Sequence, residues 1–195
     1  VTESKVVITV DLALEKIVQA SRETTVKHII GVSLAESMPC VIGTLYKWKS
    51  KVKQENCVLF SEFLKAGQGK NVEYLEIKAD APAVIAYTGG TTGKAKGVLL
   101  SNRAANTIAF QYKYADKVLD FQNGERFLDT IPPFLAYGLF LGVHMVLCVG
   151  LENILCPDPT AEHFPQQFLK YKPNHLSGGA LHIEALMKNK KVAEK

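Results

Sequence analysis

The chain has 195 residues, of which 47% are hydrophobic and 22% charged, a composition typical of a soluble globular protein. This length is sufficient for one sizeable domain with a core of its own. The net charge of +4 is spread along the chain without an arginine-rich block or an aromatic-studded basic stripe, which argues against nucleic acid as a partner.

The cysteines and the longest apolar run indicate a domain of the reducing cytoplasm. Thr2–Lys5 leads directly into a strand-like run, so no secretory signal peptide is expected. Leu135–Leu151 is interrupted by His144 and three glycines, and it is too short and too broken to cross a membrane. No C-x-x-C pair is present, and the apolar neighbours of the cysteines predict buried, reduced, structural thiols at Cys40, Cys57, Cys148 and Cys156.

Strands and helices are predicted to alternate along most of the chain, and Asp11 and Ser101 are placed to cap two of the helices. The predicted strands are Val6–Val10, Val26–Val32, Ala83–Thr88, Gly97–Leu100, Phe127–Ile131, Asn153–Cys156 and His175–Gly178. One predicted helix runs from the Asp11 cap to Ala20 and another from the Ser101 cap to Tyr112. Three more are predicted over Tyr137–Cys148, Phe164–Tyr171 and Leu181–Lys188. This order favours a three-layer α/β/α fold with a mostly parallel sheet.

The segment Ser33–Asn71 is less regular. Its alternating lysines would fall on opposing sides of a helix, so they form no single basic stripe: Lys47, Lys49, Lys51 and Lys53. A solvated excursion on the domain surface is favoured, and a weak peripheral membrane contact is the alternative.

The most informative segment is Tyr87–Gly97, with the sequence YTGGTTGKAKG after a predicted buried strand. Its glycines allow tight turns that bring backbone N–H groups close to an anion, and its threonines and lysines add donors and positive charge. This set suits a polyphosphate. Thr88 and Ala95 stand where a Walker A loop needs glycine and serine or threonine. A hairpin turn without a ligand is the alternative, although a turn needs only one or two glycines.

This run resembles the signature of the adenylate-forming superfamily, which includes acyl-CoA synthetases, luciferases and peptide-synthetase adenylation domains. It looks most like the bacterial long-chain fatty acid–CoA ligases. The resemblance implies a catalytic role for Lys96, while Ala95 replaces the family's usual proline. It further implies that the β- and γ-phosphates of ATP are held by Thr88, Gly89, Gly90, Thr91, Thr92, Gly93 and Lys96.

A second segment, Ile131–Leu139, is similar to the family's proline-to-glycine segment. Many members have histidine where this chain has Leu135, so the site here is more apolar and suits an aliphatic acyl group. The resemblance implies contacts with the acyl substrate from Phe134, Leu135, Tyr137 and Gly138. The alternative is that the first three of these residues belong only to the core.

The resemblance covers most of the chain, including weaker matches at Asp80–Ala83 and Lys172–His175. It implies that residues 1–195 form a single partial domain, an internal fragment of the family's large N-terminal domain. Residues 1–80 would form the leading β-α-β unit with its excursion, and 81–195 the phosphate-loop and acyl-site segment. Because the family's adenine, ribose and hinge elements are not among these residues, the fragment alone is expected to be inactive and prone to self-association.

The implied reaction activates a carboxylic, most simply fatty, acid with ATP and Mg²⁺ to an acyl-adenylate, which coenzyme A then converts to a thioester. The alternative is a non-catalytic nucleotide- or anion-binding domain that keeps only the loop. The five histidines show no metal-ligand spacing, so no protein-bound metal is expected, and His144 is interpreted as a core histidine. Asp129 and Asp158 follow strands, where α/β sites gather, but surface capping is favoured for both.

Overall fold

The computed structural model describes residues 3–49, 57–89, 95–115, 119–156, 158 and 160–193. The chain divides into two compact units, Val1–Tyr74 and Leu75–Lys195. The single domain expected over residues 1–195 stays a prediction.

A parallel sheet with the strand order β1-β2-β3 forms the centre of the first unit. Leu14 of its first helix is buried, as are Ile29 and Ile30 of β2, and this confirms the predicted β-α-β unit. The elements are β1 (Val6–Val10), α1 (Asp11–Ser21), β2 (His28–Val32), a 3₁₀ turn (Leu34–Ser37), α2 (Cys40–Lys49), β3 (Cys57–Leu59) and α3 (Phe60–Gly67).

Two sequence predictions in the first unit are wrong. The segment after β2 is not an irregular excursion, because it contains α2, β3 and α3. Such short elements have too few residues for their hydrophobic periodicity to be distinguished from that of a loop. Lys51 and Lys53 lie outside the described residues. Asp11 does not cap α1, since the N-cap is Val10 and lacks a side-chain cap bond.

The Asp11 carboxylate instead joins three segments of the unit. Its Oδ2 accepts hydrogen bonds from the Leu34 N–H at 3.1 Å and the Ser33 hydroxyl at 3.3 Å, and its Oδ1 accepts one from the Tyr46 hydroxyl at 3.1 Å. Asp11 directly follows β1, so these bonds tie the carboxyl end of β1 to the segment after β2 and to α2.

The second unit contains an antiparallel β4–β5 pair and a parallel sheet with the order β7-β6-β8. Its strands are β4 (Pro82–Thr88), β5 (Lys96–Ser101), β6 (Arg126–Asp129), β7 (Glu152–Leu155) and β8 (His175–Ser177). Its helices are α4 (Asn102–Lys113), a π-helix (Gly138–Met145), α5 (Val146–Cys148), α6 (Phe164–Tyr171), α7 (Ala180–Lys188) and α8 (Lys190–Ala193).

Helices cover both faces of the β7-β6-β8 sheet. Successive side chains of a strand point to opposite faces. Phe127 packs in a cluster with Ala109 of α4 and Met145 of the π-helix. Leu128 packs in a second cluster with Phe164 of α6 and Leu186 of α7. This arrangement confirms the predicted α/β fold with a mostly parallel sheet.

Several local predictions in this unit are confirmed. The Ser101 hydroxyl caps α4 by accepting a hydrogen bond from the Ala104 N–H at 3.2 Å. Helix α6 has the predicted bounds, and Pro165 occupies its first turn, where proline removes no helical hydrogen bond. The predicted helix over Tyr137–Cys148 is present, but most of it is π-helical.

The cysteine prediction needs correction. All four thiols are free, but Cys40 and Cys148 are exposed, and Cys57 and Cys156 are only half-buried. Apolar neighbours along a helix do not bury a residue that lies on the outer face. His144 is likewise half-buried rather than a core residue. Among the described residues, no helix combines the length and apolar character that a membrane crossing requires.

Asp158 has the surface capping role that was favoured for it. Its Oδ1 accepts hydrogen bonds from the Thr160 N–H at 3.1 Å and the Thr160 hydroxyl at 2.8 Å, and its Oδ2 pairs with His163 Nδ1. The hydrogen bond from His163, with those from Thr160, lowers the pKa of Asp158 to about 2. The same bond raises the pKa of His163.

These two shifts predict a pH window for the stabilising effect of the pair. The contribution of Asp158 is complete above its unfolded pKa of about 3.9 and is lost as pH falls toward about 2. The contribution of His163 is complete below its unfolded pKa of about 6.5 and is lost as pH rises through its raised folded pKa. The melting-temperature difference between wild type and His163→Gln should therefore be largest between the two unfolded pKa values, from about pH 3.9 to about pH 6.5. The exposed His28→Gln serves as control, and a flat difference for His163→Gln would contradict the prediction.

Candidate phosphate and acyl site

The β4–β5 hairpin holds both ends of the predicted phosphate loop. Thr88 pairs with Lys96 and Tyr87 with Gly97 in the antiparallel register. A Cβ on Gly97 would lie 2.9 Å from Ile85 Cγ2 and 3.4 Å from the Tyr87 ring, so glycine permits this cross-strand packing. Residues 89–95 join the strands, whereas hairpin loops usually have about two to five residues. A turn alone does not require this length.

The described loop residues lie at the loop end of the hairpin, where β4 and β5 meet the residues that connect them. Thr88, Gly89 and Lys96 are exposed, and the Thr88 hydroxyl donates to the Lys96 carbonyl at 3.5 Å. Lys96 forms no ion pair with any residue in the described part of the chain. The other predicted phosphate ligands, and Lys94, lie outside the described residues: Gly90, Thr91, Thr92 and Gly93.

Three of the four predicted acyl residues are exposed rather than part of the core. Phe134 is 81% exposed, Leu135 43% and Tyr137 51%, so the alternative that all three only fill the core is wrong. The Leu135 N–H donates to the Pro132 carbonyl at 3.0 Å, and this closes a turn. The turn lies between β6 and the π-helix and presents apolar side chains to solvent.

Gly138 is buried where the chain doubles back after this turn. A Cβ at this position would lie 2.6 Å from the Ile131 carbonyl oxygen and would also overlap Pro132. Only glycine allows the π-helix to begin so close to the preceding segment. Gly138 therefore shapes Ile131–Leu139, here called the acyl segment after its predicted role, and offers no side chain to a ligand.

Asp129 lies at the carboxyl end of β6, and the expectation that it caps a surface element is wrong. The residue is 2% exposed. Its Oδ1 accepts hydrogen bonds from the Ser177 hydroxyl at 2.6 Å and the Ile131 N–H at 2.9 Å. Its Oδ2 is buried and has no hydrogen-bond partner among the residues that the structure describes. Burial raises the pKa of Asp129, against the lowering effect of the hydrogen bonds from Ser177 and Ile131.

These contacts connect the acyl segment to β8. Ser177 ends β8 and is bonded to Asp129, while the Thr130 hydroxyl donates to the Ser177 carbonyl at 2.8 Å. Sequence reasoning missed Thr130 and Ser177. One signal was present, because a carboxylate within a predicted buried strand indicates a partnered group rather than a surface cap. Its partner could not be read from the sequence.

A cavity of about 270 Å³, lined by both apolar and polar side chains, adjoins the acyl segment beside Tyr137. It follows the sheet under the π-helix, and His175 lies on its wall with Nε2 2.7 Å from Glu125 Oε2. Its apolar lining includes Phe121, Phe127, Tyr137, Leu141, Met145 and Leu176. In the described ranges, no cluster of three histidine, cysteine, aspartate or glutamate residues could hold a metal ion.

The sequence is similar to those of known ligases. A long-chain-fatty-acid–CoA ligase of Haemophilus influenzae is 28% identical over 192 residues, which are 93% of this chain and 34% of the relative. A long-chain-fatty-acid–CoA ligase of Bacillus subtilis is 30% identical over 161 residues, 78% of this chain and 28% of the relative. The chain thus spans about a third of the length of these relatives.

The fold agrees with this likeness. The crystal structure of the anthranilate CoA ligase AuaEII in complex with anthranoyl-AMP covers 98% of this chain and 34% of its own, with a TM-score of 0.75 at 17% identity. The profile of the AMP-binding enzyme family matches residues 1–195, the whole chain. The resemblance of the Tyr87–Gly97 loop is therefore confirmed at the level of the family, and this chain belongs to the AMP-binding enzymes.

Proposed function

We propose that the intact protein is an AMP-forming fatty acid–CoA ligase. It would activate a carboxylic acid with ATP as an acyl-adenylate and transfer the acyl group to coenzyme A. The observation that carries the proposal is the family match over residues 1–195, together with relatives named long-chain-fatty-acid–CoA ligases. Nothing in these relatives favours the alternative of a non-catalytic binding domain.

The hairpin geometry supports a phosphate-binding role for the loop. Thr88 and Lys96 stand opposite each other, exposed, at the two ends of the connection. A lysine without an ion-pair partner can give its charge to a phosphate, and such charge-assisted hydrogen bonds are among the stronger ones. Lys96 would stabilise the charge that develops as pyrophosphate leaves the α-phosphorus.

Magnesium would enter this site together with the nucleotide. The described residues offer no cage of protein ligands, and Mg²⁺ commonly enters such sites on substrate phosphates. When bound, it would neutralise phosphate charge. The loop residues themselves would position the polyphosphate.

The acyl segment supports an aliphatic substrate. Phe134, Leu135 and Tyr137 expose apolar surface after β6, and apolar side chains form part of the lining of the cavity beside Tyr137. Burying an alkyl chain there removes apolar area from water, worth about 25 cal/mol per Å². The buried Asp129–Ser177 bond would keep this segment at a fixed distance from β8.

The test is thioester formation by the intact protein. The purified enzyme is given ATP, Mg²⁺, coenzyme A and a panel of carboxylic acids, and AMP, pyrophosphate and acyl-CoA are measured. Equal amounts of all three, dependent on the acid, are expected. Nucleotide binding without an acid-dependent release of pyrophosphate would refute the proposal. Residues 1–195 alone are expected to release none.

Leu135→His is expected to change the preference among acids without a large change in stability. Leu135 is 43% exposed, and substitutions at such positions usually alter the free energy of unfolding by about 0.5 kcal/mol or less. An imidazole at this place adds a polar group beside the acyl carboxylate, so activity should shift from long alkyl acids toward shorter or more polar ones. The measurement is pyrophosphate release over an acid panel, together with thermal melting.

The control for Leu135→His is Leu147→His. Leu147 is 63% exposed and lies in α5, away from the acyl segment. It should leave the acid preference unchanged. If the two variants gave the same acid profile as wild type, Leu135 would not line the acyl site.

The cytoplasmic location, the membrane contact and the self-association expected from the sequence stay predictions.

A further inference from the structure

A thiol, an imidazole and an amide from two packed helical segments converge on the surface of the second unit. Cys148 is exposed at the end of α5, and His144 precedes it by one turn in the π-helix. Cys148 Sγ lies 3.7 Å from His144 Nε2 and 4.0 Å from its Nδ1. His144 Nε2 lies 3.1 Å from Asn106 Oδ1 of α4. None of these residues belongs to the loop or the acyl segment.

The imidazole is oriented from two sides. Asn106 contacts its Nε2, and the buried Phe140 ring meets it edge-to-face with centroids 6.5 Å apart at 86°. When Nε2 donates its proton to Asn106 Oδ1, the lone pair is on Nδ1, which lies 4.0 Å from the Cys148 sulfur. A base held next to a thiol by a third group is the arrangement that activates cysteine nucleophiles.

A cavity of about 320 Å³ opens beside this cluster. Phe110 and Val149 give it an apolar wall, and Lys113 adds a cationic group. Its volume lies at the lower end of the range of about 300–1,000 Å³ that small-molecule sites occupy. The lining therefore suits a small ligand with an apolar body and an anionic group that reaches Lys113.

We propose that Cys148 is a thiol–disulfide exchange site for a small anionic disulfide, with His144 as proton acceptor and Lys113 as anion contact. Cys148 Sγ forms a bond to one sulfur of the disulfide, whose S–S bond breaks, and the second sulfur leaves as a thiolate with the electron pair. The Cys148 proton passes to His144 Nδ1. The product is a mixed disulfide on Cys148, and the site is independent of the ligase activity.

The test uses the 195-residue chain and the dianionic aromatic disulfide dithiobis-nitrobenzoate in limiting amount, with mass mapping of every cysteine. Cys148 should react about tenfold faster than Cys40, which is also exposed. In His144→Gln the rate at Cys148 should fall to about that of Cys40, because the positioned base is lost. The rate at the exposed Cys40 should not change, and a slow reaction at the half-buried Cys156 of the same unit as His144 reports that the variant is folded. Equal rates at Cys40 and Cys148 in wild type would overturn the proposal.

The charge preference is tested with Lys113→Gln. This variant should react more slowly with dithiobis-nitrobenzoate but at the wild-type rate with neutral dithiodipyridine. An equal loss with both reagents, or no loss with either, would overturn the anionic part of the proposal. Asn106→Ala should slow Cys148 with both reagents, because it releases the imidazole but leaves Lys113 in place.

Discussion

Gly142→Ala is expected to destabilise the protein by about 3 kcal/mol, since overpacking a filled core costs about 1–3 kcal/mol and occasionally more. A Cβ on Gly142 would overlap the Asp129 carboxylate, with both oxygens of Asp129 less than 3.0 Å away. Asp129 cannot move aside freely, because the Ser177 hydroxyl and the Ile131 N–H hold its Oδ1. The melting temperature should fall by roughly 6–12 °C, at about 2–4 °C per kcal/mol for a chain of this size.

A double-mutant cycle separates this overlap from a general helix effect. Asp129→Ala removes the carboxylate and should relieve most of the cost of Gly142→Ala, so the two changes should not be additive. Gly67→Ala is the matched control, because a Cβ at this helix end meets nothing within 4 Å. It should be neutral or slightly stabilising through helix propensity. Additive effects of the Gly142 and Asp129 changes would show that the carboxylate is not the obstacle.

Lys96→Ala in the intact enzyme is expected to slow adenylation by about ten- to a thousand-fold, the range found for loss of one transition-state donor. Lys96 begins β5, opposite Thr88, and its side chain is exposed at the loop end of the hairpin. A lysine contact that strengthens as pyrophosphate departs should lower kcat more than it raises KM for ATP. The measurement is acid-dependent exchange of pyrophosphate into ATP.

Lys94→Ala is the control for Lys96→Ala. The signature that the loop resembles leaves this position variable, so its loss should reduce exchange far less. Thermal melting of Lys96→Ala should match that of wild type, because exposed side chains away from special contacts contribute little to stability. An unchanged exchange rate for Lys96→Ala would remove Lys96 from the catalytic site.

The features that were predictable from the sequence depend on neighbours close in the chain. Ser101 caps α4 through a bond three residues away, and α6 has a regular apolar face with proline in its first turn. The loop at Tyr87–Gly97 is likewise a contiguous run. Propensity and capping reasoning act over this range, and at α4 and α6 they agreed with the structure.

The features that were missed depend on distant partners. Asp129 is buried because Ser177, 48 residues later, supplies a hydroxyl and Gly142 leaves space for the carboxylate. Asp11 looks like a helix cap in the sequence, yet its partners lie up to 35 residues away. The burial of the cysteines also depended on helix orientation, which apolar neighbours in sequence do not determine.

The antiparallel pairing of β4 with β5 has a consequence for the order in which the chain acquires structure. The Thr88–Lys96 bond spans eight residues, whereas the Asp129–Ser177 bond spans 48. Short loops close with less entropy loss, and hairpins form within about 1–10 μs. On the ribosome, the β4–β5 hairpin can therefore fold while residue 177 is still untranslated. The segment after β6 must wait for β8, so a nascent chain passes through a stage that has the hairpin but not yet the strand to which Asp129 is bonded.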